Sequence, residues 1–454
     1  MGGSSDALGV RRMVRQYAVP EWMIAECAEA RERGDWRAAC EAARVTVDID
    51  DAGPVADLLA GFAPDLLRWH LPRSGSGTAG LSAGLTYLLA PDGPVTPDSA
   101  VLVVRSPEWV TGSQRLTVQA RRAGDLEETP VYPLAPYLWD ARRVGELRDV
   151  LRRADPSFAV RELRRLTAQF GHRSYRLRGD ESRLKRYYHR KVYLEAAGDR
   201  HRLACAEPAP PRPGSIGVDL CLHPMLLRPP VDLELIGHDR IGVAELHPLV
   251  RAALFPAAGA ETRPVATSMV PAGFWKEERI RVRCGRQWHW ISMRDGQVEL
   301  LHHDGAERRR EHALRAFGGT IRGCFQAELG WLDGDDAAPK RLREHRHDLW
   351  RRMEHGGSRV VRALLDAGMN PHVRDGQGRT LLHRMHMFEH DEELLPRLLA
   401  AGLDVNALSR RGWTPMAEAL VHAAPIDLLV ALNAAGGYPQ LSLTDPEHWP
   451  DPAG

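Results

Sequence analysis

Three stretches of the chain carry side chains whose type and spacing could do chemistry. Gly75, Gly77 and Gly80 spell G-x-G-x-x-G, a pattern that cradles dinucleotide phosphates. Gly80, Ser82 and Gly84 spell G-x-S-x-G, which lifts a nucleophilic serine onto a sharp turn. Both need a strand before and a helix after, because the turn must aim amides or a hydroxyl at one point. "DLLRWHLPR" precedes them and is no strand, so 74–84 is expected to be a loop. His383, His386 and His390 stand three and four residues apart, one helix face able to hold zinc or copper. In 171–193, Arg173, Arg176, Lys185, Arg186, Arg190 and Lys191 alternate with Tyr175, Tyr187, Tyr188 and Tyr193. Guanidiniums there could pair with phosphates while tyrosines stack on bases. Read as an amphipathic helix, the same run buries Leu184, Tyr188 and the stem of Lys191 and solvates the rest.

The elements that must position these groups read as follows. "VPEWMIAECAEARERGDWRAACEAARV" is helical with a corner at Gly34-Asp35, and "SAVLVVRSPEW" and "QRLTVQARR" are strands. "AVRELRRLTAQF" returns to helix. Residues 206–217, "AEPAPPRPGSIG", form a Pro- and Gly-rich linker. "VAELHPLVRAALFP" is a helix ended by Pro256. The period-two run from Glu278 predicts three antiparallel strands near 279–284, 287–293 and 297–302, with a hairpin turn at Arg294-Asp295-Gly296. "GAERRREHALRAFGG" follows as an amphipathic helix closed by Gly318-Gly319. A strand, His302-His303 and a helix carrying His312 together resemble a His-rich nuclease hairpin, which implies a histidine base and a metal. The asparagine that such a motif carries downstream is missing.

Composition sets bounds. A chain of 454 residues implies two to four domains, and 43% hydrophobic content is enough for their cores. The net charge of +1 gives no long-range pull toward nucleic acid or an anionic membrane. Of the basic residues only Lys185, Lys191, Lys276 and Lys340 are lysine, so arginine clusters are discounted as compositional bias, although two of the four lysines fall in 171–193. Cys27, Cys40, Cys205, Cys221, Cys284 and Cys324 form no C-x-x-C pair, which reads as reduced thiols rather than a disulfide framework or zinc cage. The first residues match neither a signal peptide nor a myristoylation signal, and no apolar run spans a bilayer. A cytoplasmic protein with no membrane partner is expected.

Shifting the sequence by 34 positions places "VVRALLDAG" on "LLPRLLAAG" and then on "LLVALNAAG", and "DLWRRMEHG" on "LHRMHMFEH". The same shift carries Gly368 to Gly402 and Gly436, Gly378 to Gly412, and Thr380 to Thr414. Such a period implies three stacked helix pairs over 341–437. The recurring glycines close helices in the left-handed conformation, the threonines are expected to cap the next helix, and Pro415 occupies a first helical position. "GRTLLH" and "GWTPMA" resemble the ankyrin-repeat Gly-x-Thr-Pro-Leu-His motif, and "AAGLDVNALSRRGWTP" resembles the finger between repeats. Leu381 replaces the motif proline in one repeat and Ala417 the histidine in the next. The resemblance covers about a fifth of the chain. It implies that His383 ties neighbouring repeats by hydrogen bonds. It also implies partner binding along finger tips and inner helices, here Arg374, Asp375, Gln377, Ser409, Arg410 and Trp413.

The expected architecture is therefore an α+β multidomain chain. It has an α+β region over 1–205, the linker, a small meander-plus-helix module over 218–336, an α-solenoid of ankyrin repeats over 341–437, and a tail over 438–454. The function expected is non-enzymatic: a scaffold or adaptor that binds another protein, with no catalytic, cofactor or metal residue assigned. Two alternatives stand beside it. One is a nucleic-acid-associated factor using Arg173, Arg176, Lys185, Arg186, Tyr188, Arg190 and Lys191; the other is a hydrolase or nuclease whose site no motif reveals.

Overall fold

A computed structural model describes residues 3–74, 79–126, 130–152, 158–178, 192–197, 200–204, 214, 216–256, 278–294, 296–335, 338–389 and 392–441. The chain is mixed α/β and divides into two compact units. The first holds residues 1–110, 114–265 and 453–454; the second holds 111–113 and 266–452. Among the described residues no helix is long and apolar enough to cross a membrane.

The first unit opens with helices α1 (Gly3–Met13), α2 (Glu21–Glu32), α3 (Trp36–Ala42), α4 (Ala56–Gly61) and α5 (Pro64–His70). Gly34 takes a φ of +70° between α2 and α3, and the Asp35 carboxylate caps α3 by accepting from Ala38 N–H at 2.9 Å. Strands β1 (Val45–Asp48), β2 (Thr86–Leu89), β3 (Ala100–Arg105), β4 (Leu116–Arg122) and β5 (Val131–Pro133) make one sheet in the order β1-β4-β3-β2-β5. The unbroken apolar run of β3 suits its central place, where Val101 to Val104 are buried on both faces. Helices α6 (Glu146–Arg152) and α7 (Phe158–Phe170) follow. A second sheet, β8-β7-β6-β9, comprises β6 (Ser174–Leu177), β7 (Tyr193–Ala197), β8 (Arg200–Ala204) and β9 (Cys221–Leu222). Helices α8 (Val231–Gly237) and α9 (Pro248–Leu254) complete the unit.

The core of this unit continues beyond the expected linker. Most of the expected linker lies outside the described residues, but Ile216, Val218, Leu220 and Leu222 join the core that also holds Leu163, Phe170 and Tyr175. β9 pairs in parallel with β6, so the residues from 216 to 256 belong with the N-terminal region rather than with the meander. The apolar alternation Ile216-Val218-Leu220-Leu222 builds core where the preceding prolines had signalled a break.

The second unit begins with the expected meander, β10 (Glu278–Cys284), β11 (Gln287–Arg294) and β12 (Gln297–Leu300), antiparallel in chain order. Helices α10 (Gly305–Ala316) and α11 (Cys324–Leu332) follow. Asp304 caps α10, and Gly318, at φ +81°, ends it. α10 departs from the amphipathic expectation: it buries no residue, and Phe317 just beyond it is 90% exposed.

α12 (Lys340–Asp366) is two helices joined at Gly357, whose φ of +72° breaks the ladder. Then come α13 (Met385–Phe388), α14 (Leu394–Ala400), α15 (Pro415–Val421) and α16 (Ile426–Ala434). The recurrence seen in the sequence is a recurrence of backbone contacts. Gly368, Gly402 and Gly436 have φ of +95°, +87° and +86°. Beside each, the amide of Met369, Leu403 or Gly437 reaches back to Leu364, Leu398 or Leu432. The loops match as well. Asp375 N–H bonds Arg379 O at 3.0 Å as Ser409 N–H bonds Trp413 O at 2.9 Å. Gly378 and Gly412 sit at φ +70° and +73° in both turns.

Candidate functional site

The loop side chains expected to meet a partner fall into two groups. Asp375 is 6% exposed and accepts from Gln377 N–H at 2.8 Å, Arg379 N–H at 3.0 Å and Arg379 Nε at 2.7 Å. Ser409 is buried, and its hydroxyl accepts from Trp413 N–H at 3.2 Å. Both side chains are largely buried and organise their own loops. Arg374 donates to the carbonyls of Gly378 and Leu408, and Arg410 to those of Gly376 and Gly334, so both guanidiniums cross-link backbone. Gln377 is exposed and Trp413 half-buried, with the Arg411 guanidinium 5.9 Å from the Trp413 ring centroid. Leu408 adds an exposed apolar side chain. Arg411 and Leu408 were not singled out in the sequence.

His383 bridges its own turn and the loop at Trp413 by hydrogen bonds. Its Nδ1 accepts from Thr380 N–H at 3.1 Å and lies 2.9 Å from the Thr380 hydroxyl, so Nε2 carries the proton and donates to Trp413 O at 3.0 Å. Burial lowers its pKa and keeps the ring neutral. The Thr380 hydroxyl is thus drawn to the imidazole rather than capping an amide. At the equivalent place Ala417 offers no ring, and Thr414 caps as expected, accepting from Ala417 N–H at 3.4 Å and donating to Tyr438 O at 2.7 Å. His386 is buried and stacked on His422 with centroids 4.6 Å apart. His390 lies outside the described residues. The histidine trio therefore presents no open metal face through His383 and His386, whose rings pack inside the fold.

The basic stretch is only partly described. Lys185, Arg186, Tyr188, Arg190 and Lys191 lie outside the described residues. Arg173 is exposed, Arg176 pairs with Asp219 at 3.2 Å, and the rings of Tyr175 and Tyr193 are buried in the core rather than free to stack on bases. In the glycine tract Gly75 and Gly77 are likewise outside. Ser82 is buried, with α5 before the tract and β2 after it, so the strand–turn–helix order that either motif requires is absent from the described flanks.

The most enzyme-like pair in the first unit is Asp65 and His247, both fully buried and 3.1 Å apart. His247 Nδ1 accepts from Leu249 N–H at 3.3 Å, capping α9, while Asp65 also pairs with Arg31. Burial pushes the Asp65 carboxyl up, but the hydrogen bonds and charges of His247 and Arg31 outweigh it and hold the pKa below the usual range. An acid already satisfied on both oxygens and a base already capping a helix make a structural brace.

A cluster that the sequence did not announce lies in the second unit. Cys284 ends β10, His289 is on β11, His303 follows β12, and Cys324 opens α11; their donor atoms all lie within 4.8 Å of one another. His289 Nδ1 is 2.9 Å from His303 Nε2, which is 3.6 Å from Cys284 Sγ. The other ring nitrogens face acceptors, His303 Nδ1 the Glu307 carboxylate at 3.1 Å and His289 Nε2 the Gln287 side-chain amide oxygen Oε1 at 3.4 Å. Burial, then Cys284, pushes the Cys324 thiol up to about 12, and His289 is lowered by desolvation and by its neighbours His303 and His302. Intervals of 4, 13 and 20 residues separate the four, so no local motif could flag them. The one signal was the pairing of strand ends with His302-His303.

No family model matches this chain, and neither does any curated protein.

Proposed function

We propose that residues 341–437 form an ankyrin-type repeat block that docks a partner protein through its finger tips. The observation that carries the reading is the recurrence, 34 residues apart, of the same loop hydrogen bonds and left-handed glycines. Loops bonded internally to this degree lose little entropy on docking, so a few side chains at their tips can dominate affinity. Gln377, Leu408, Arg411 and Trp413 fit that role, an aromatic and a cation beside apolar and amide surface. They suit a partner surface that presents a carboxylate next to an apolar side chain. The five described cysteines are free, in keeping with a reducing, cytoplasmic setting for this adaptor.

The test is affinity capture from the native host at physiological salt, using the full chain, Arg411→Ala with Trp413→Ala, and Arg33→Ala, an exposed arginine of the first unit, as a control. A protein retained by wild type and control and lost from the double variant, at unchanged thermal stability, is the expected result. Retention of the same proteins by all three would count against the reading.

A further inference from the structure

We propose that Cys284, His289, His303 and Cys324 bind one zinc ion in a closed, four-ligand site that staples the β10–β12 meander to α11. The inference stands on the second unit's own geometry and does not depend on the docking role of the repeats.

Two thiols and two imidazoles are the donor set of a tetrahedral structural zinc site. A tetrahedral zinc with nitrogens at about 2.0–2.1 Å and sulfurs at about 2.3 Å sets its nitrogens about 3.3 Å apart and each nitrogen about 3.6 Å from a sulfur. The observed separations are 2.9 Å between the nitrogens and 3.6 Å from Cys284 Sγ to His303 Nε2, and all four donor atoms lie within 4.8 Å of one another, so side-chain adjustments of about 1 Å or less close the set around one ion.

The outer hydrogen bonds fix which nitrogens are free to ligate. The Gln287 side-chain oxygen and Glu307 offer acceptors to His289 Nε2 and His303 Nδ1, and in the tautomers that carry protons there His289 Nδ1 and His303 Nε2 both present lone pairs to the centre of the cluster. Facing lone pairs repel unless a cation lies between them, and a carboxylate behind a ligand imidazole is the usual support for a metal. His302, just before His303, stacks on the His289 ring with centroids 5.1 Å apart and uses its Nδ1 to accept from Trp290 N–H at 3.2 Å.

The backbone is shaped for close approach. Gly323 adopts φ +66°, and a Cβ there would lie 2.7 Å from Cys284 Sγ, so only glycine lets the start of α11 come this near β10. Gly285, at φ +63°, turns the chain directly after Cys284. A staple also answers a structural need. α10 contributes no buried side chain, and Trp288, Leu314 and Phe317 stay exposed around the meander. A small apolar core of this kind is commonly supplemented by metal ligation.

The experiment uses the reduced full chain purified without a metal-affinity step. Elemental analysis after dialysis should find one zinc per chain. Cobalt exchange should give the intense d–d bands of a tetrahedral ion together with thiolate-to-cobalt charge transfer. His302→Ala should keep the full equivalent, Glu307→Gln should weaken zinc affinity about 10- to 100-fold, and Cys324→Ser should lose it. Should Cys324→Ser fail to fold, Glu307→Gln and His302→Ala still separate the outcomes. Absence of zinc and of the cobalt spectrum from the reduced wild type, equal affinity in Glu307→Gln, or a Cys284–Cys324 disulfide in freshly isolated protein would overturn the proposal.

Discussion

Asp65→Ala should lower the unfolding free energy of the first unit by about 3–5 kcal/mol at pH 7, because it strands buried partners. Arg31 and His247 both converge on this fully buried carboxylate. The carboxyl is held below its usual pKa, so its contribution is fully present above the unfolded value near 4 and is lost as pH falls through the lower folded value. Denaturant titration followed by tryptophan fluorescence reports on the region directly. Trp69 lies edge-on to His247 at 5.6 Å and donates Nε1–H to Asp232 at 3.0 Å. Acid should therefore soften wild type below about pH 4, and Asp65→Ala should lack that step. A loss under about 1 kcal/mol would show that Asp65 is dispensable to the brace.

Asp375→Ala should cost the second unit about 2–4 kcal/mol, through three lost hydrogen bonds and the loss of the nearer carboxylate for Arg379, which keeps only Glu418 at 3.8 Å, while Arg384 retains Glu354 at 2.6 Å. Gln377→Ala, two residues away on the exposed tip, should change stability by less than about 0.5 kcal/mol. The contrast separates the side chains that build the finger from those it displays. Equal, small effects at both positions would mean that the loop holds its shape without its internal carboxylate. Thermal unfolding of both variants, monitored by circular dichroism, is sufficient.

Sequence and structure agree where a residue's job is local. Gly34-Asp35, the β10–β12 meander and the glycines at 368, 402 and 436 all take the geometry that their types favour, because φ preference and period-two alternation act within a few residues. Legibility ended where the job depends on a distant partner. Asp375 and Ser409 look like exposed finger residues in a string of letters, yet the turn they sit in folds back on their side chains. The proline run before Ile216 signalled a boundary that the apolar alternation just after it overrides. Tyr175 neighbours arginines in sequence, but strand pleating sends it into the core beside Leu194, and Tyr193, on the other face opposite Arg176, is buried as well. Cys284 and Cys324 meet only because β10 and the start of α11 are brought together by the meander, a contact that spacing cannot encode.

The most direct test of the docking role is amide hydrogen exchange on the full chain, free and saturated with the captured partner. Added protection confined to the loops 369–379 and 403–413 and their adjoining helix ends is the predicted result. Protection gained only in the first unit or across 171–193, with those loops unchanged, would contradict it.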